Sequence, residues 1–206
     1  EGLVAPGFID VQVNGGGGAF FNADQTPECL DKIAKAHGQF GSTALMPTLI
    51  TDKVEIMQAA ADATAKAIDE GVPGILGIHF EGPHLSFPKK GTHSEQFIRP
   101  ISEQEFAIYA RQDLGIKMVT LAPENVSIND IERLVECGVK VSIGHTNADY
   151  ATTMAALNAG ADGFTHLYNA MSAFTSREPG VVGAALWHDN SWCGLIVDGH
   201  HVHPVT

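Results

Sequence analysis

Seven short apolar runs, rich in β-branched residues, recur along the chain at 7–13, 43–50, 75–80, 117–122, 140–143, 163–167 and 193–197. Runs of this length read as strands covered on both faces, the environment of a parallel sheet. Helical patterns separate most of them. Val54, Met57, Ala61, Ala65 and Ile68 form one apolar stripe at helical spacing, and Ile128, Ile131, Leu134 and Val135 form another. Ser102 with Glu105 and Ser127 with Asp130 read as capping boxes at helix starts. Thr26-Pro27 places proline at a first helical position. Gly71, Gly115, Gly138 and Gly160 stand where helices should stop. Strand and helix alternating this often specify an α/β fold.

Two α/β architectures compete. An open doubly wound sheet normally carries a glycine-rich phosphate loop after its first strand. The glycines at 15–18 fit neither GxGxxG nor the Walker pattern, and no helical pattern follows directly. They read as a close-packed first loop. A (β/α)8 barrel of the TIM type instead gathers chemistry from the C-terminal ends of many strands. That is the distribution here, and it decides for the barrel. Seven runs make an incomplete one, so the eighth βα unit is expected beyond Thr206. No linker or low-complexity segment divides residues 1–206, which read as one domain.

The bulk numbers exclude several classes. A net charge of −12 repels nucleic-acid phosphates, while leaving room for a small anionic substrate in a locally positive pocket. No apolar run reaches the ~18 residues of a membrane span. No basic segment followed by an apolar stretch marks a secretory leader, although Glu1 reads as a mid-chain residue. Cys29, Cys137 and Cys193 are widely spaced and form no CxxC pair, which reads as free thiols in a reducing cytoplasm.

The strand ends carry the polar residues. They read Asp10-Val-Gln12-Val-Asn14, His79-Phe-Glu81-Gly-Pro-His84, Gly144-His145-Thr146, Thr165-His166-Leu-Tyr168-Asn169-Ala170 and Asp198-Gly-His200-His201. In a closed barrel Glu81, His145 and His166 face one another. One carboxylate and two imidazoles with an open position make a catalytic zinc set. His200, His201 and His203 resemble a second cluster in sequence only. His79 is expected to point away from the mouth, although Glu81, two residues on, would share its strand face; a hydrogen bond within the barrel, one to an outer group of the site, and a functional part all stay open for it.

Longer motifs accompany these residues. Pro6-Gly-Phe-Ile-Asp10, leading into the first run, resembles the start of amidohydrolase-superfamily barrels. His79-Phe-Glu-Gly-Pro83, Lys89-Lys-Gly-Thr-His93, Gly144-His-Thr-Asn147, Thr165-His-Leu-Tyr-Asn-Ala-Met171 and Arg177-Glu-Pro-Gly180 resemble the N-acetylglucosamine-6-phosphate deacetylases of that superfamily. The resemblance implies hydrolysis of an acetamide on an amino-sugar phosphate. It implies that Glu81, His145 and His166 bind one divalent ion, Zn2+ by preference, and that His93 polarises the acetamide carbonyl. It places Asn169, Ala170 and His201 on the sugar phosphate. It also implies a homodimer in which Arg177 reaches the neighbouring subunit's phosphate.

Two departures qualify the resemblance. Many amidohydrolases carry HxH at the end of the first strand, where this chain has Gln12-Val-Asn14. A neutral amide is a poor transition-metal ligand, so a single ion is expected. The family's general acid/base is an aspartate on the eighth strand, expected beyond Thr206 together with a small β-sandwich domain; Asp198, on the seventh run, is not given that role. N-acetylgalactosamine 6-phosphate is an alternative substrate, and a non-catalytic metal or sugar-phosphate binding barrel an alternative class. A Schiff-base mechanism fits poorly, because Lys89 and Lys90 lie off the strands.

Overall fold

The computed structural model describes residues 4–206; Glu1 lies outside the described residues. The chain runs β1 (Phe8–Val13), β2 (Gly15–Gly16), β3 (Ala19–Phe20), α1 (Pro27–Gly38), β4 (Ser42–Ile50), α2 (Val54–Asp69), β5 (Gly77–Glu81) and α3 (Glu103–Tyr109). It continues β6 (Ile116–Leu121), α4 (Ile128–Glu136), β7 (Val139–Ile143), α5 (Tyr150–Asn158), β8 (Gly163–Phe164), α6 (Gly180–Trp187) and β9 (Trp192–Cys193). Seven strands form one parallel sheet in the order β1-β4-β5-β6-β7-β8-β9, and β2 and β3 form a small antiparallel hairpin. The sheet order follows the chain order, as successive staves of a TIM-type barrel require.

The sheet curls. A cavity of about 900 Å³ is lined by Phe8 and Gln12 of β1, His79 and Met118 from the interior of β5 and β6, and Trp192 and Cys193 of β9. The two edge strands therefore face one another across the opening of a (β/α) barrel arc. Ile78, Phe80, Val119, Leu121, Val141 and Ile143, at alternate positions of neighbouring strands and so on one face of the sheet, are all buried. Helices cover the outer face. Met57 and Ala61 of α2 and Ile131 and Leu134 of α4 are buried, while Ile128 and Val135, at the margins of the α4 stripe, are exposed.

Local signals placed the helices well, with two exceptions. Thr26 caps α1 through the Cys29 amide, and Ser102 with Glu105 forms a reciprocal box on α3. Ser127 caps α4, but the Asp130 carboxylate meets the Ser127 hydroxyl at 2.7 Å and closes no box. Aspartate is one methylene shorter than the glutamate that reaches back in such boxes. Gly115 is the second exception. It follows the end of α3 by six positions and leads straight into β6 with φ of 62°, where a Cβ would lie 2.3 Å from the Leu76 carbonyl oxygen. Close approach to the neighbouring backbone demands glycine there.

The strands also differ at their margins. β5 starts at Gly77, while Ile75 forms only an isolated bridge to Leu45. β8 and β9 are two residues each, shorter than their apolar runs. Past them single backbone bonds continue, Thr165 to Ile143, Leu167 to Gly194 and Gly194 to Phe164, before the chain turns into the loops.

Candidate metal centre

Glu81, at the last position of β5, is 3% exposed. Its Oε1 lies 3.2 Å from His145 Nε2 and 3.1 Å from His166 Nε2, and the two imidazole nitrogens are 3.0 Å apart. Three residues from three strand ends thus bring one donor atom each to a common point. For tetrahedral zinc with bonds near 2.0–2.1 Å, ligand atoms sit roughly 3.3 Å apart. The observed triangle is of that size.

The backbone explains how the imidazoles arrive there. His145 is the second residue after β7 and has φ of 46°; His166 is the second residue after β8 and has φ of 38°. Left-handed backbone at a residue that carries a Cβ is strained, and such strain persists where the surroundings over-determine it. Here the surroundings are hydrogen bonds. His145 Nδ1–H donates to the Lys89 carbonyl at 2.8 Å, and His166 Nδ1–H donates to the Asn169 carbonyl at 3.1 Å. A carbonyl can only accept, so each bond fixes the proton on Nδ1 and leaves an Nε2 lone pair aimed at the common point. Outer hydrogen bonds of this kind orient metal-binding histidines.

The Glu81 carboxyl is pulled two ways. Burial pushes it up, but the His145 and His166 rings, with His79 and His93 nearby, outweigh burial and hold it well below the usual carboxylate range. Glu81 is therefore the anion at the centre of the cluster. Two bare Nε2 lone pairs facing each other and that carboxylate are mutually repulsive unless a cation, proton or metal ion, lies between them.

His93 sits at the edge of this group, 3% exposed. One ligand atom each from Glu81, His93 and His145 also lies within 4.8 Å of the others. The tautomer separates His93 from the other two histidines. Its Nδ1 accepts the Thr51 backbone N–H at 3.3 Å and lies 2.8 Å from the Thr51 hydroxyl. A backbone N–H can only donate, which leaves the ring proton on Nε2, facing Glu81 Oε2 at 3.8 Å. His93 thus presents an N–H, where His145 and His166 present lone pairs. Burial lowers its pKa to about 4, so the ring is neutral at pH 7.

Gln12 completes the rim. Its side-chain amide donates to Glu81 Oε1 at 2.8 Å. The neutral amide supports the carboxylate through a donor nitrogen. His79, fully buried two residues before Glu81, points into the barrel and makes no contact with the cluster's common point; Nδ1–H donates to the Val11 carbonyl at 2.9 Å.

The remaining sequence-derived residues are distributed differently. Asn169 and Ala170 are on the loop that leaves His166; the Ala170 carbonyl accepts the Thr146 amide at 3.0 Å and ties that loop to the end of β7. Tyr168 and Ala170 share the left-handed backbone of His166, with φ of 76° and 51°. Arg177 is exposed on the 172–179 loop, which is held by Glu178: its Oε1 accepts the Tyr150 and Gly180 amides at 2.8 and 2.9 Å. His201 is exposed and bonded through Nδ1 to Asp198 at 2.6 Å, and Asp198 also takes the His200 and His201 amides. Among the described residues, neither Arg177 nor His201 contacts Glu81, His145 or His166. Lys90 pairs with Glu95 in the loop that carries His93, and Lys89 lends that loop's carbonyl to His145.

Thr51 and Arg99 escaped sequence reasoning. Thr51 follows β4 in no recognisable motif, and it meets His93 through both its backbone amide and its hydroxyl. Arg99 closes the His93 loop by donating to Glu105 at 2.7 Å and to the Asp52 carbonyl at 2.8 Å. The capping position of Glu105 was legible, but not its second partner.

The sequence pattern of the amidohydrolase family matches residues 3–206, the whole length over which this site is built. The chain belongs to the amidohydrolase family. An N-acetylgalactosamine-6-phosphate deacetylase of Shewanella sp. (strain ANA-3) is 58% identical over 206 residues, covering 100% of this chain and 52% of that protein. The N-acetylglucosamine-6-phosphate deacetylase of Haemophilus influenzae is 40% identical, over 95% of this chain and 51% of its own length. Among solved structures, N-acetylglucosamine-6-phosphate deacetylase from Pasteurella multocida superimposes with a TM-score of 0.91 at 42% identity, covering 96% of this chain and 52% of that one. This amidohydrolase chain spans about half the length of the curated relatives it matches.

Proposed function

We propose that this amidohydrolase chain carries the metal centre of a deacetylase, releasing acetate from an N-acetyl amino-sugar 6-phosphate. The observation that carries the reading is the pair of Nδ1–H bonds to Lys89 and Asn169, which aim two Nε2 lone pairs at the buried Glu81 carboxylate. This nitrogen and oxygen donor set suits one Zn2+ held by Glu81, His145 and His166. An ion there supplies Lewis acidity and lowers the pKa of water.

The chain's own residues supply the rest. His93, neutral and carrying its proton on Nε2, donates to the acetamide carbonyl oxygen, where charge develops only as the bond is attacked. Gln12 holds the Glu81 carboxylate in place. The 166–170 loop, through Asn169 and Ala170, and His201 bind the sugar phosphate. Arg177, presented outward, clamps the phosphate bound in the other subunit of a homodimer with a planar fork suited to phosphate. The proton transfers belong to an aspartate outside this chain, on an eighth βα unit that, with a β-sandwich domain, completes the protein. The setting is cytoplasmic, and no helix among the described residues is long and apolar enough to cross a membrane.

A second reading concerns the sugar. The motifs point first to the gluco epimer, whereas the relative at 58% identity is named for the galacto epimer; relatives at 37–40% are named for one epimer or the other. That difference supports N-acetylgalactosamine 6-phosphate as the better substrate. Acetate release from the two epimeric 6-phosphates by the full-length protein tests both levels. Release from either supports the deacetylase, and the ratio assigns the epimer; release from neither contradicts the proposal.

A further inference from the structure

Beneath the cluster lies a row of polar side chains that the proposed reaction does not use. Thr120 of β6, Ser142 of β7, His79 of β5 and Thr165, just past β8, are 0–3% exposed. Each is bonded to the next. His79 Nε2 lies 2.7 Å from Thr120 Oγ1, Thr120 Oγ1 lies 2.7 Å from Thr165 Oγ1, and Thr165 Oγ1 lies 2.7 Å from Ser142 Oγ. At the other end His79 Nδ1–H donates to the Val11 carbonyl of β1 at 2.9 Å.

The chemistry of the ends orders the row. With the His79 proton on Nδ1, Nε2 accepts the Thr120 O–H. Thr120 then has only lone pairs left and accepts from Thr165, which in turn accepts from Ser142. Each hydroxyl has one proton, and each is used in the same direction. Chains of buried hydrogen bonds reinforce one another in low dielectric, and a broken link leaves a buried group unsatisfied.

The placement relative to the cluster gives this row its significance. His79 is two residues before Glu81, Ser142 is three before His145, and Thr165 immediately precedes His166. Thr120 is the register partner of Glu81 on the neighbouring strand. Every strand that delivers a residue to the cluster is therefore pinned to the others one layer below, adding to the two-residue ladder and flanking backbone bonds that hold β8. A Cβ at Gly144 would lie 2.8 Å from Thr120 Cγ2 and 3.0 Å from Thr165 Cβ, so the backbone before His145 rests directly on this row.

We propose that Ser142, Thr165, Thr120 and His79 are positioning residues for the metal centre, a hydroxyl tie that fixes the spacing of Glu81, His145 and His166. This inference rests on the metal-centre reading above. Outer hydrogen-bond partners in metal sites govern affinity by about 10–100-fold when removed. These residues differ from ordinary outer partners in touching no metal-facing ring; they act through the strands.

The test is the Zn2+ affinity of the full-length protein, measured by competition with a chromogenic chelator, alongside the thermal midpoint of the metal-free form. Thr165→Val keeps the shape and removes the hydroxyl; Thr165→Ser keeps the hydroxyl. Ser142→Ala removes the terminal donor and leaves every other hydroxyl proton of the row with its acceptor, so it is the variant least prone to unfold. The tie predicts Zn2+ binding weakened about 10-fold or more in Thr165→Val and Ser142→Ala, and near wild type in Thr165→Ser. Folded Thr165→Val and Ser142→Ala proteins that bind Zn2+ as tightly as wild type, whatever their thermal midpoints, would overturn it. A wild-type protein that binds no divalent ion would overturn the metal-centre reading itself, a result distinct from equal binding by wild type and variants.

Discussion

Gln12 Nε2 donates to Glu81 Oε1 at 2.8 Å, the same carboxylate oxygen that faces both cluster histidines. A second metal ion beside Glu81 at this position would need a ligand where the chain offers an N–H. Gln12→Ala is therefore expected to weaken metal binding about 10-fold through loss of an outer donor, without changing the number of ions bound. Titration of metal-free protein with Zn2+ reads both quantities, and a variant that gains a second equivalent contradicts this account of Gln12.

His93 differs from the cluster histidines in its tautomer, set by the Thr51 amide. His93→Asn is expected to lower kcat by about 10²–10³, the usual loss for one donor to a developing oxyanion. Turnover within a few-fold of wild type would remove His93 from the reaction.

Arg177 stands exposed on a loop fixed by Glu178. Arg177→Ala should raise KM for the 6-phosphate substrate strongly and leave the unphosphorylated N-acetyl sugar almost unaffected. Mixed with a His145→Ala protein, it should regain activity, because the intact metal site then receives its arginine from the His145→Ala partner. Mixtures shown to exchange subunits yet remaining inactive would place the arginine in its own subunit's site.

Burial pushes both His79 and His93 down to about 4 from the ordinary 6.5. Between these values the unfolded chain binds protons that the folded chain does not. Stability of the metal-free protein should therefore hold above pH 6.5 and fall as pH drops from about 6.5 toward 4. Urea unfolding across that window checks the sign; a flat or rising stability on acidification would show that the two rings are not buried as neutral imidazoles.

The alternation of apolar runs and helical stripes made the barrel legible, because a doubly covered parallel strand leaves an unbroken apolar signature. The last two strands were overestimated: the runs continue to 167 and 197, but β8 ends at Phe164 and β9 at Cys193, and the chain after Phe164 turns left-handed at His166, Tyr168 and Ala170. Gly115 misled for a related reason, since the same residue that ends helices also permits close backbone approach. At the site, Glu81, His145 and His166 were readable as polar residues at strand ends. The grouping of His93 with Thr51 was not, because the two are 42 residues apart and meet through a hydroxyl and a backbone amide that belong to no motif. Nor could the sequence show that Gln12 turns its N–H, not its carbonyl, toward Glu81.

The central claim is that Glu81, His145 and His166 hold the ion while His93 stands beside it as a donor. The most direct measurement is the metal content of purified wild-type, His166→Ala and His93→Asn proteins by elemental analysis. The account predicts about one divalent ion per chain in wild type and in His93→Asn, and almost none in His166→Ala. Loss of the ion from His93→Asn with retention in His166→Ala would assign the third ligand to His93 and contradict the tautomer argument on which the proposed chemistry rests.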